Sequence, residues 1–451
     1  MNSILKINDS YSIDESIASY ETFAFYPITG TQLNNPGSIT VSVQNSDNWY
    51  HVSNSWLEFE GELIKSGTTG GPYAATDLIT FANNGILYLF DNIKYLLSST
   101  EIESVFNPGT VSNILGLASN STSFSTGLIQ CWAQDTTNDA ADTNLGFKAR
   151  RSFISTSNPI GSFRFAVPLS HILGFCQDYE RVLYGFTHTL ILTRSSSDAN
   201  ALFRKTDGET ASENVPDGVV NLKHIRWMLP RVSPSDVARY ELLKQIKAET
   251  ILNVGFRMRQ CISTSVPDSN QFTWRLGVRS SPEQPRFIFL AFQTDRAENQ
   301  QKNFATYDHC NLTSAHVLLN NDRYPCNDFD SNFTMNHYDF LYHEFSSFIQ
   351  KFFKIDKLVT NTMVDPISYK SLYPIIMFDV SRQSERLKSQ VTDITLHVNF
   401  NPKPAAKTIA HVIMISDRKL RFNHILVGRG LNYPPTLKSA VIGRKSENFQ
   451  K

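Results

Sequence analysis

The stretch that decides the fold covers residues 221–248 and reads NLKHIRWMLPRVSPSDVARYELLKQIKA. Its first part, residues 224–229, is apolar and strand-like, and Pro230 ends it. Its second part predicts a helix with Ser233 as the N-cap and Pro234 in the first helical position, where a missing N–H costs nothing. Because the chain has β-strand patterns on both sides, the stretch predicts two β lobes joined by one short helix.

The predicted helix is amphipathic. Its apolar side chains recur at helical spacing, and they are Val237, Tyr240, Leu243 and Ile246. Charged side chains occupy the other faces, and they are Arg239, Glu241, Lys244 and Lys247. This spacing makes the segment the clearest helix of the chain.

The size and composition of the chain limit the classes of protein that it can represent. With 451 residues it is too long for one ordinary core, and its 41% hydrophobic and 12% aromatic residues favour β structure. Basic and acidic residues are balanced at 42 each, which argues against a dedicated nucleic-acid binder. No apolar run has the length of a membrane span, and the start lacks the pattern of a signal peptide. Five irregularly spaced cysteines predict reduced thiols in an intracellular protein.

Strand patterns fill the first half of the chain. Residues 56–63 alternate between apolar and other side chains, so Glu58, Glu60 and Glu62 are interpreted as a solvated strand face and not as catalytic carboxylates. Residues 119–160 are rich in Ser, Thr, Asn and Asp, and we expect them to form one long exposed connection.

The second half repeats the order of the first. An apolar strand block, a helix, an aliphatic strand with a proline and an alternating strand follow one another in both halves. In the first half these are residues 85–98, the region around Val111, and residues 163–173 and 187–194. In the second half they are residues 312–324, 338–353, 373–383 and 392–401. The helix at 338–353 has an apolar face formed by Phe340, Leu341, Phe345, Phe348, Ile349 and Phe352.

This duplication predicts an all-β protein with a few short helices, made of two tandem eight-stranded jelly rolls. The predicted divisions are an N-terminal arm at 1–20, a first jelly roll at 21–222, a linker with the helix at 223–249, a second jelly roll at 250–433 and a C-terminal tail at 434–451.

The search for catalytic, cofactor and metal sites yields none that we would assign. Residues 67–71 lack the lysine of a phosphate-binding loop, and residues 428–433 lack the third glycine of a dinucleotide fingerprint. Asp379 and Ser381 could be combined with a distant histidine into a catalytic triad. Many other residues of a chain with 11 histidines could be combined in the same way, so this set carries no weight. One metal-like cluster has irregular spacings that favour buried thiols and surface histidines: His309, Cys310, His316, Cys326, His337 and His343. We therefore expect a non-enzymatic protein with no catalytic residues, no cofactor and no metal.

Basic residues cluster mildly at residues 148–151 and 438–451. Because aromatic residues are not interleaved with them, a solvated loop and tail are favoured over contact with nucleic acid. The polar residues 1–20 and the tail are hypothesised to be arms that order on contact with a neighbour.

Several stretches occur in an order that resembles a known family. In the first half they are residues 84–95, 101–103, 172–182, 187–194 and 226–230, and in the second half residues 286–293, 378–388 and 391–398. Together they resemble the double jelly-roll major capsid proteins of polinton-like and related eukaryotic double-stranded DNA viruses, or an endogenous viral relative. The resemblance implies a homotrimeric capsomer of pseudo-hexagonal outline in an icosahedral capsid. It implies neighbouring capsomers and minor capsid (penton) proteins as partners, location in the virion, and no specific nucleic acid.

A competing interpretation is a non-enzymatic β-sandwich binding module, such as a receptor- or glycan-binding viral surface protein. It predicts a concave pocket with convergent polar and aromatic groups. Stoichiometry discriminates between the two, because a capsid subunit is expected to form trimers that assemble further.

Overall fold

The computed structural model describes residues 15–29, 32–45, 47–67, 71–121, 124, 127–205, 215–247, 252–279, 283–355, 362–384, 387 and 391–422. The predicted tail at 434–451, the first fourteen residues of the predicted N-terminal arm and most of residues 67–71 lie outside these ranges. Within the described part of the chain, no helix has the length and apolar character needed to cross a membrane.

The first lobe is a sandwich of two antiparallel sheets. Its strands are β1 (Ile17–Phe25), β2 (Pro27–Thr29), β3 (Gly37–Val43), β4 (Trp49–Tyr50), β5 (Trp56–Lys65), β6 (Ile79–Phe81), β7 (Phe90–Leu97), β8 (Thr100–Phe106), β9 (Ser162–Pro168), β10 (His188–Arg194), β11 (Leu202–Arg204) and β12 (Gly218–Pro234). One sheet has the order β1-β12-β5-β9, with β4 also paired to β12, and the other has the order β2-β3-β10-β7-β8. Strands β11 and β6 form a separate small ladder.

Alternating side chains place the core of this lobe between its two sheets. In β5 the side chains of Leu57, Phe59 and Leu63 are buried, whereas those of Glu58 and Glu60 are partly exposed. This is the half-buried strand that the alternation predicts.

The helices of the first lobe are α1 (Pro108–Ser119), α2 (Leu145–Ser155), α3 (Leu169–Ile172) and α4 (Gly174–Asp178). The expectation of one exposed connection over residues 119–160 is wrong, because α2 lies within it. Arg150 of α2 is buried and pairs with the buried Asp135, with 2.7 Å between Nη2 and Oδ1. Arg150 also donates to the carbonyl oxygens of Phe81 and Ala133, so a polar sequence here forms a packed layer and not a solvated loop.

The connection between the lobes begins later than the sequence predicts. Strand β12 continues through Pro230 to Pro234, because β1 pairs along it with Thr22 opposite Pro230. Helix α5 (Asp236–Lys247) therefore begins at Asp236 and not at Pro234, and the N–H of Arg239 donates to the carbonyl of Ser235 at 2.7 Å. The first sandwich thus runs beyond residue 222, and β1 lies partly within the predicted arm at 1–20.

The second lobe is a smaller sandwich. Its strands are β13 (Leu252–Ser265), β14 (Gln271–Arg279), β15 (Pro285–Thr294), β16 (Leu312–Leu319), β17 (Asp322–Tyr324), β18 (Ile376–Asp379), β19 (Thr392–Phe400) and β20 (Thr408–Phe422), and its helices are α6 (Asp339–Phe353) and α7 (Pro366–Ser371). The sheets have the orders β13-β20-β15-β18 and β14-β19-β16-β17. Two four-stranded sheets agree with the predicted eight-stranded jelly roll.

Helix α6 confirms the helix predicted at residues 338–353. Phe348 packs edge-on against Phe287 and Phe289 of β15, with ring centroids 5.3 and 4.9 Å away. Phe340 departs from the prediction, because it is 39% exposed and stacks on Phe329 instead of joining the buried face.

Candidate functional site

The residues considered as metal ligands are dispersed over the second lobe. The ring of His309 stacks on Phe333, and the ring of His316 stacks on His397. Cys326 is exposed, whereas burial raises the pKa of the Cys310 thiol to about 12. Across the described ranges, no three His, Cys, Asp or Glu side chains come together as a ligand set.

Asp379 and Ser381 serve the turn that follows β18. The Asp379 Oδ1 atom accepts hydrogen bonds from the N–H of Ser381 at 3.0 Å and from its Oγ at 2.6 Å. The other carboxylate oxygen of Asp379 faces Lys351 of α6 at 3.3 Å. These contacts hold the turn against α6, so Asp379 and Ser381 have a structural role.

The three glutamates of β5 form ion pairs across the outer face of its sheet. Glu58 pairs with Arg164 at 2.7 Å, Glu60 with Arg226 at 2.8 Å, and Glu62 with Lys223 at 2.6 Å. Hydrogen bonds from Lys223 and Asn221 hold the pKa of the Glu62 carboxyl below its usual value.

One contact between the two lobes joins an edge strand of each sandwich. Strand β8 ends its sheet in the first lobe and packs against β13, which ends its sheet in the second lobe. The buried Glu103 of β8 lies in this contact. Its carboxylate accepts hydrogen bonds from the N–H groups of Gly174 at 3.1 Å, Phe175 at 2.8 Å and Arg259 at 2.9 Å. One buried carboxylate therefore joins β8, α4 and β13.

Two arginines of β13 extend this junction. The guanidinium of Arg259 donates to the carbonyls of His171 at 2.6 Å and Ser170 at 2.9 Å. Burial raises the pKa of the Glu103 carboxyl and lowers that of the Arg259 guanidinium, because removal from water disfavours the charged form of each.

Arg257 binds both lobes at once. It donates to the two carboxylate oxygens of Asp178 in α4 at 2.8 and 2.5 Å, and to the carbonyl of Phe352 in α6 at 2.7 Å. Its guanidinium also lies 3.6 Å from the centroid of the Phe352 ring. These polar contacts fix the position of one lobe relative to the other.

The two sheets that contain β8 and β13 each have another strand at their opposite end. In the first lobe this edge strand is β2, which follows β1 after the single residue Tyr26, and in the second lobe it is β18, which is mostly buried and contacts α6. The first-lobe edge carries exposed apolar side chains. Ile17 is 52% exposed, Tyr26 56% and Ile28 60%. We call residues 17–29 the outer edge of the first lobe.

The role of Glu103 at the junction was not predictable from the local sequence. Glu101, Ile102 and Glu103 read as a strand with one buried and two solvated side chains, yet Ile102 and Glu103 are both buried. Alternation fails here because α4 of the first lobe and β13 of the second together cover the face of β8 that would otherwise meet water.

A family model described as a double jelly roll-like domain matches residues 79–420. No curated protein matches the chain in sequence.

Solved structures from three viruses share the fold. A chain in the cryo-EM structure of the Sputnik virophage aligns over 93% of this chain and 90% of its own length, with a TM-score of 0.59 and 8% identity. The Faustovirus major capsid protein aligns over 93% and 92%, with a TM-score of 0.53 and 9% identity. The mavirus major capsid protein aligns over 94% and 91%, with a TM-score of 0.51 and 10% identity. The family match covers well over half of the residues, so this chain belongs to the double jelly roll-like domain family.

Proposed function

We propose that this chain is the major capsid protein of an icosahedral double-stranded DNA virus. The observation that carries the proposal is the pair of jelly-roll sandwiches held side by side in one chain of this family. Two of the structures with the same fold are named as major capsid proteins, and a third comes from a virophage particle. The ordered stretches described above favour a polinton-like virus within this class. In this role the protein acts in the virion and needs no catalytic residue.

We further propose that three copies close into a capsomer with a pseudo-hexagonal outline. Each copy supplies two similar lobes, so a ring of three presents six. Strands β2 and β18 end these two sheets on the sides away from the contact between β8 and β13. A head-to-tail contact between the first-lobe edge of one copy and the β18 side of the next closes such a ring.

The outer edge of the first lobe has the character of a surface that another copy covers. Strand β1 has nine residues, and it ends its sheet among the described strands. Natural proteins usually protect such an edge with lysines, bulges or a covering element. Here the exposed side chains include Ile17, Tyr26 and Ile28. Neighbouring capsomers and penton proteins are the further partners that this role requires.

Light scattering on the purified chain tests the proposal. We expect a particle of three times the 51.0 kDa chain mass. The Ile28→Asp variant should weaken the trimer at least tenfold per contact, because burial of an isoleucine contributes about 1.5–3 kcal/mol.

Ile129→Asp is the matched control, because Ile129 is 54% exposed and lies beside β9, at the end of its sheet opposite β1. This variant should remain trimeric. A wild-type chain that stays monomeric at high concentration would refute the trimer. A trimer that is indifferent to Ile28→Asp would refute only the assigned edge.

A further inference from the structure

A small polar cavity lies between the two lobes. Its volume is about 130 Å³, and its polar lining includes Ser112 of α1, Asn120 at the end of α1, His171 of α3 and Arg259 of β13. Phe353 of α6 also lines it, so both lobes contribute to its walls. No Asp or Glu of the described chain is among its lining residues. A space of this size corresponds to about four water molecules, so it suits a small molecule and not a nucleotide or a peptide.

The guanidinium of Arg259 is the charged group of this cavity. Arg259 is only 3% exposed. Its Nη1 donates to the carbonyl of His171 at 2.6 Å, and its Nη2 donates to the carbonyl of Ser170 at 2.9 Å and to Oε1 of Gln177 at 2.6 Å. These three acceptors are neutral oxygens, and N–H groups on Nε and Nη1 are left without a partner among the described residues.

This buried guanidinium forms no ion pair with any carboxylate that the structure describes. Glu103 accepts from the backbone N–H of Arg259 at 2.9 Å and not from its side chain. Both carboxylate oxygens of Asp178 are bound by Arg257 instead. Because buried charges in proteins are normally paired with an opposite charge, the Arg259 side chain lacks the counter-ion that its burial calls for.

Other hydrogen-bonding groups of the cavity also lack partners within the described ranges. Ser112 is 4% exposed, and its hydroxyl makes no hydrogen bond there. The side-chain amide of Asn120 makes none either, and its Nδ2 would lie 3.2 Å from a Cβ atom on Gly116, which also lines the cavity. Burial and the positive charge of Arg259 lower the pKa of His171 to about 4, so its ring is neutral at pH 7 and can donate from one nitrogen.

We propose that this cavity binds a small inorganic oxyanion of the size and charge of phosphate, which bridges the two lobes. The unpartnered N–H groups of Arg259 bind the anion in a charge-assisted pair. Ser112 and Asn120 donate to its other oxygens. Water alone can satisfy the hydroxyl and the amide, but it leaves the guanidinium without a counter-charge. A cation is disfavoured, because no described carboxylate lines the cavity and a guanidinium does.

The C-terminal end of α1 lies beside the cavity, and a helix end of this polarity disfavours an anion. Two of its last carbonyls are already bonded. The Ser119 hydroxyl donates to the carbonyl of Leu115 at 2.6 Å, and the N–H of Asn120 donates to that of Gly116 at 2.8 Å. What remains is the effect of a partial charge, whereas the Arg259 guanidinium in direct contact carries a full one.

Equilibrium dialysis of the full-length chain against radiolabelled inorganic phosphate at pH 7 tests this inference. We expect one phosphate to bind per chain, to be displaced by sulfate, and to stay bound in sodium chloride of the same ionic strength. No binding at millimolar phosphate would mean that the cavity holds only water, and it would overturn the proposal. Displacement by chloride, or competition by adenosine triphosphate at equal concentration, would overturn it as well, because neither fits a small oxyanion enclosed at this site.

Three variants assign the binding to this cavity. Ser112→Ala and Asn120→Leu each remove a donor that bonds to nothing in the described fold, so each should fold normally and bind phosphate at least about tenfold more weakly. Arg259→Met should weaken binding at least about a hundredfold, because it removes more than one charge-assisted hydrogen bond. It also removes hydrogen bonds between the lobes, so Ser112→Ala and Asn120→Leu decide the question if Arg259→Met fails to fold.

Matched controls lie elsewhere in the second lobe. Ser346 of α6 donates to the carbonyl of His343, and Arg275 of β14 pairs with Asp393, and neither Ser346 nor Arg275 lines the cavity. Ser346→Ala and Arg275→Met should bind phosphate as the wild type does. Controls that lose binding as the test variants do, or test variants that keep full binding, would contradict the assignment to this cavity.

Thermal unfolding provides a second measurement. An anion that binds the folded chain should raise its melting temperature, and sulfate should act as phosphate does. The wild type and the two controls should show this rise, and Asn120→Leu should show much less of it at the same phosphate concentration. An equal rise in all of these proteins would indicate a general salt effect and count against the site. The inference does not rest on the proposed function, because a monomer that binds phosphate retains it and a trimer that does not bind phosphate leaves the capsomer intact.

Discussion

Glu103 is a buried carboxylate that bonds to both lobes where they meet. Its carboxylate accepts three backbone hydrogen bonds, two from the first lobe and one from β13 of the second. Hydrogen bonds to a charged group contribute about 1.5–3 kcal/mol each, and a buried donor left without a partner costs a comparable amount.

Replacement of Glu103 by glutamine should destabilise the folded chain by about 2–3 kcal/mol, because the amide NH2 cannot accept from a backbone N–H. Chemical denaturation followed by tryptophan fluorescence measures this change. Glu101→Gln is the matched control, since Glu101 is exposed and pairs with Lys94 at 3.7 Å. The control should change the free energy of unfolding by less than about 0.5 kcal/mol. Equal effects of the two substitutions would contradict the assigned role of Glu103.

Buried histidines predict a loss of stability in mild acid. Burial lowers the pKa of His188 to about 3 and that of His411 to about 4, below the value near 6.5 in an unfolded chain. The folded state therefore binds fewer protons than the unfolded state as the pH falls below 6.5. The contribution of these histidines is fully present above pH 6.5 and is lost as the pH falls towards 4.

We expect the free energy of unfolding to fall between pH 6.5 and 5 by up to about 1.4 kcal/mol per pH unit for each histidine. His188→Gln should reduce that slope, whatever it does to the stability at pH 7.5. Denaturation midpoints at four pH values in this window measure the slope. A slope that His188→Gln leaves unchanged would contradict this explanation.

Among the secondary-structure elements, α4 approaches β13 so closely that Gly174, the first residue of α4, has no room for a side chain. A Cβ atom on Gly174 would lie 1.8 Å from the carbonyl oxygen of Arg257. A contact with backbone cannot be relieved by a change of rotamer, so α4 or β13 would have to move.

Gly174→Ala should therefore cost at least about 3 kcal/mol and disturb the junction. Gly255→Ala, in β13 itself, is the control, because a Cβ there meets nothing within 4 Å. Alanine at that position should be neutral or slightly stabilising, since glycine is unfavourable inside a strand. Thermal unfolding of both variants checks the contrast, and similar melting temperatures would argue against the close approach.

Helices and strands were predictable from the sequence where the local spacing of apolar residues matches the burial of those residues in the fold. The apolar face of α6 meets β15, so its spacing alone predicts both the helix and its buried side chains. Residues 119–160 were not predictable in this way, because Arg150 and Asp135 are polar residues whose burial depends on each other. The start of α5 was also misplaced, because pairing with β1 holds Ser233 and Pro234 in an extended strand despite their helix-capping sequence.

At the scale of the whole molecule, the repeated order of elements predicts the two lobes. The fold class followed from the sequence, because each lobe repeats alternating strands and short helices in the same succession. The contact between β8 and β13 did not follow, since it joins edges that local patterns cannot pair. The exposed apolar edge at residues 17–29 also required the structure, because a strand sequence does not reveal whether its edge is free.

Electron microscopy of the purified chain distinguishes a capsomer of three copies from other assemblies. We expect particles with a hexagonal projection made of six lobes, and shells when these particles assemble. Single two-lobed particles at high protein concentration, or dimers related by a two-fold axis, would contradict a capsomer of three copies.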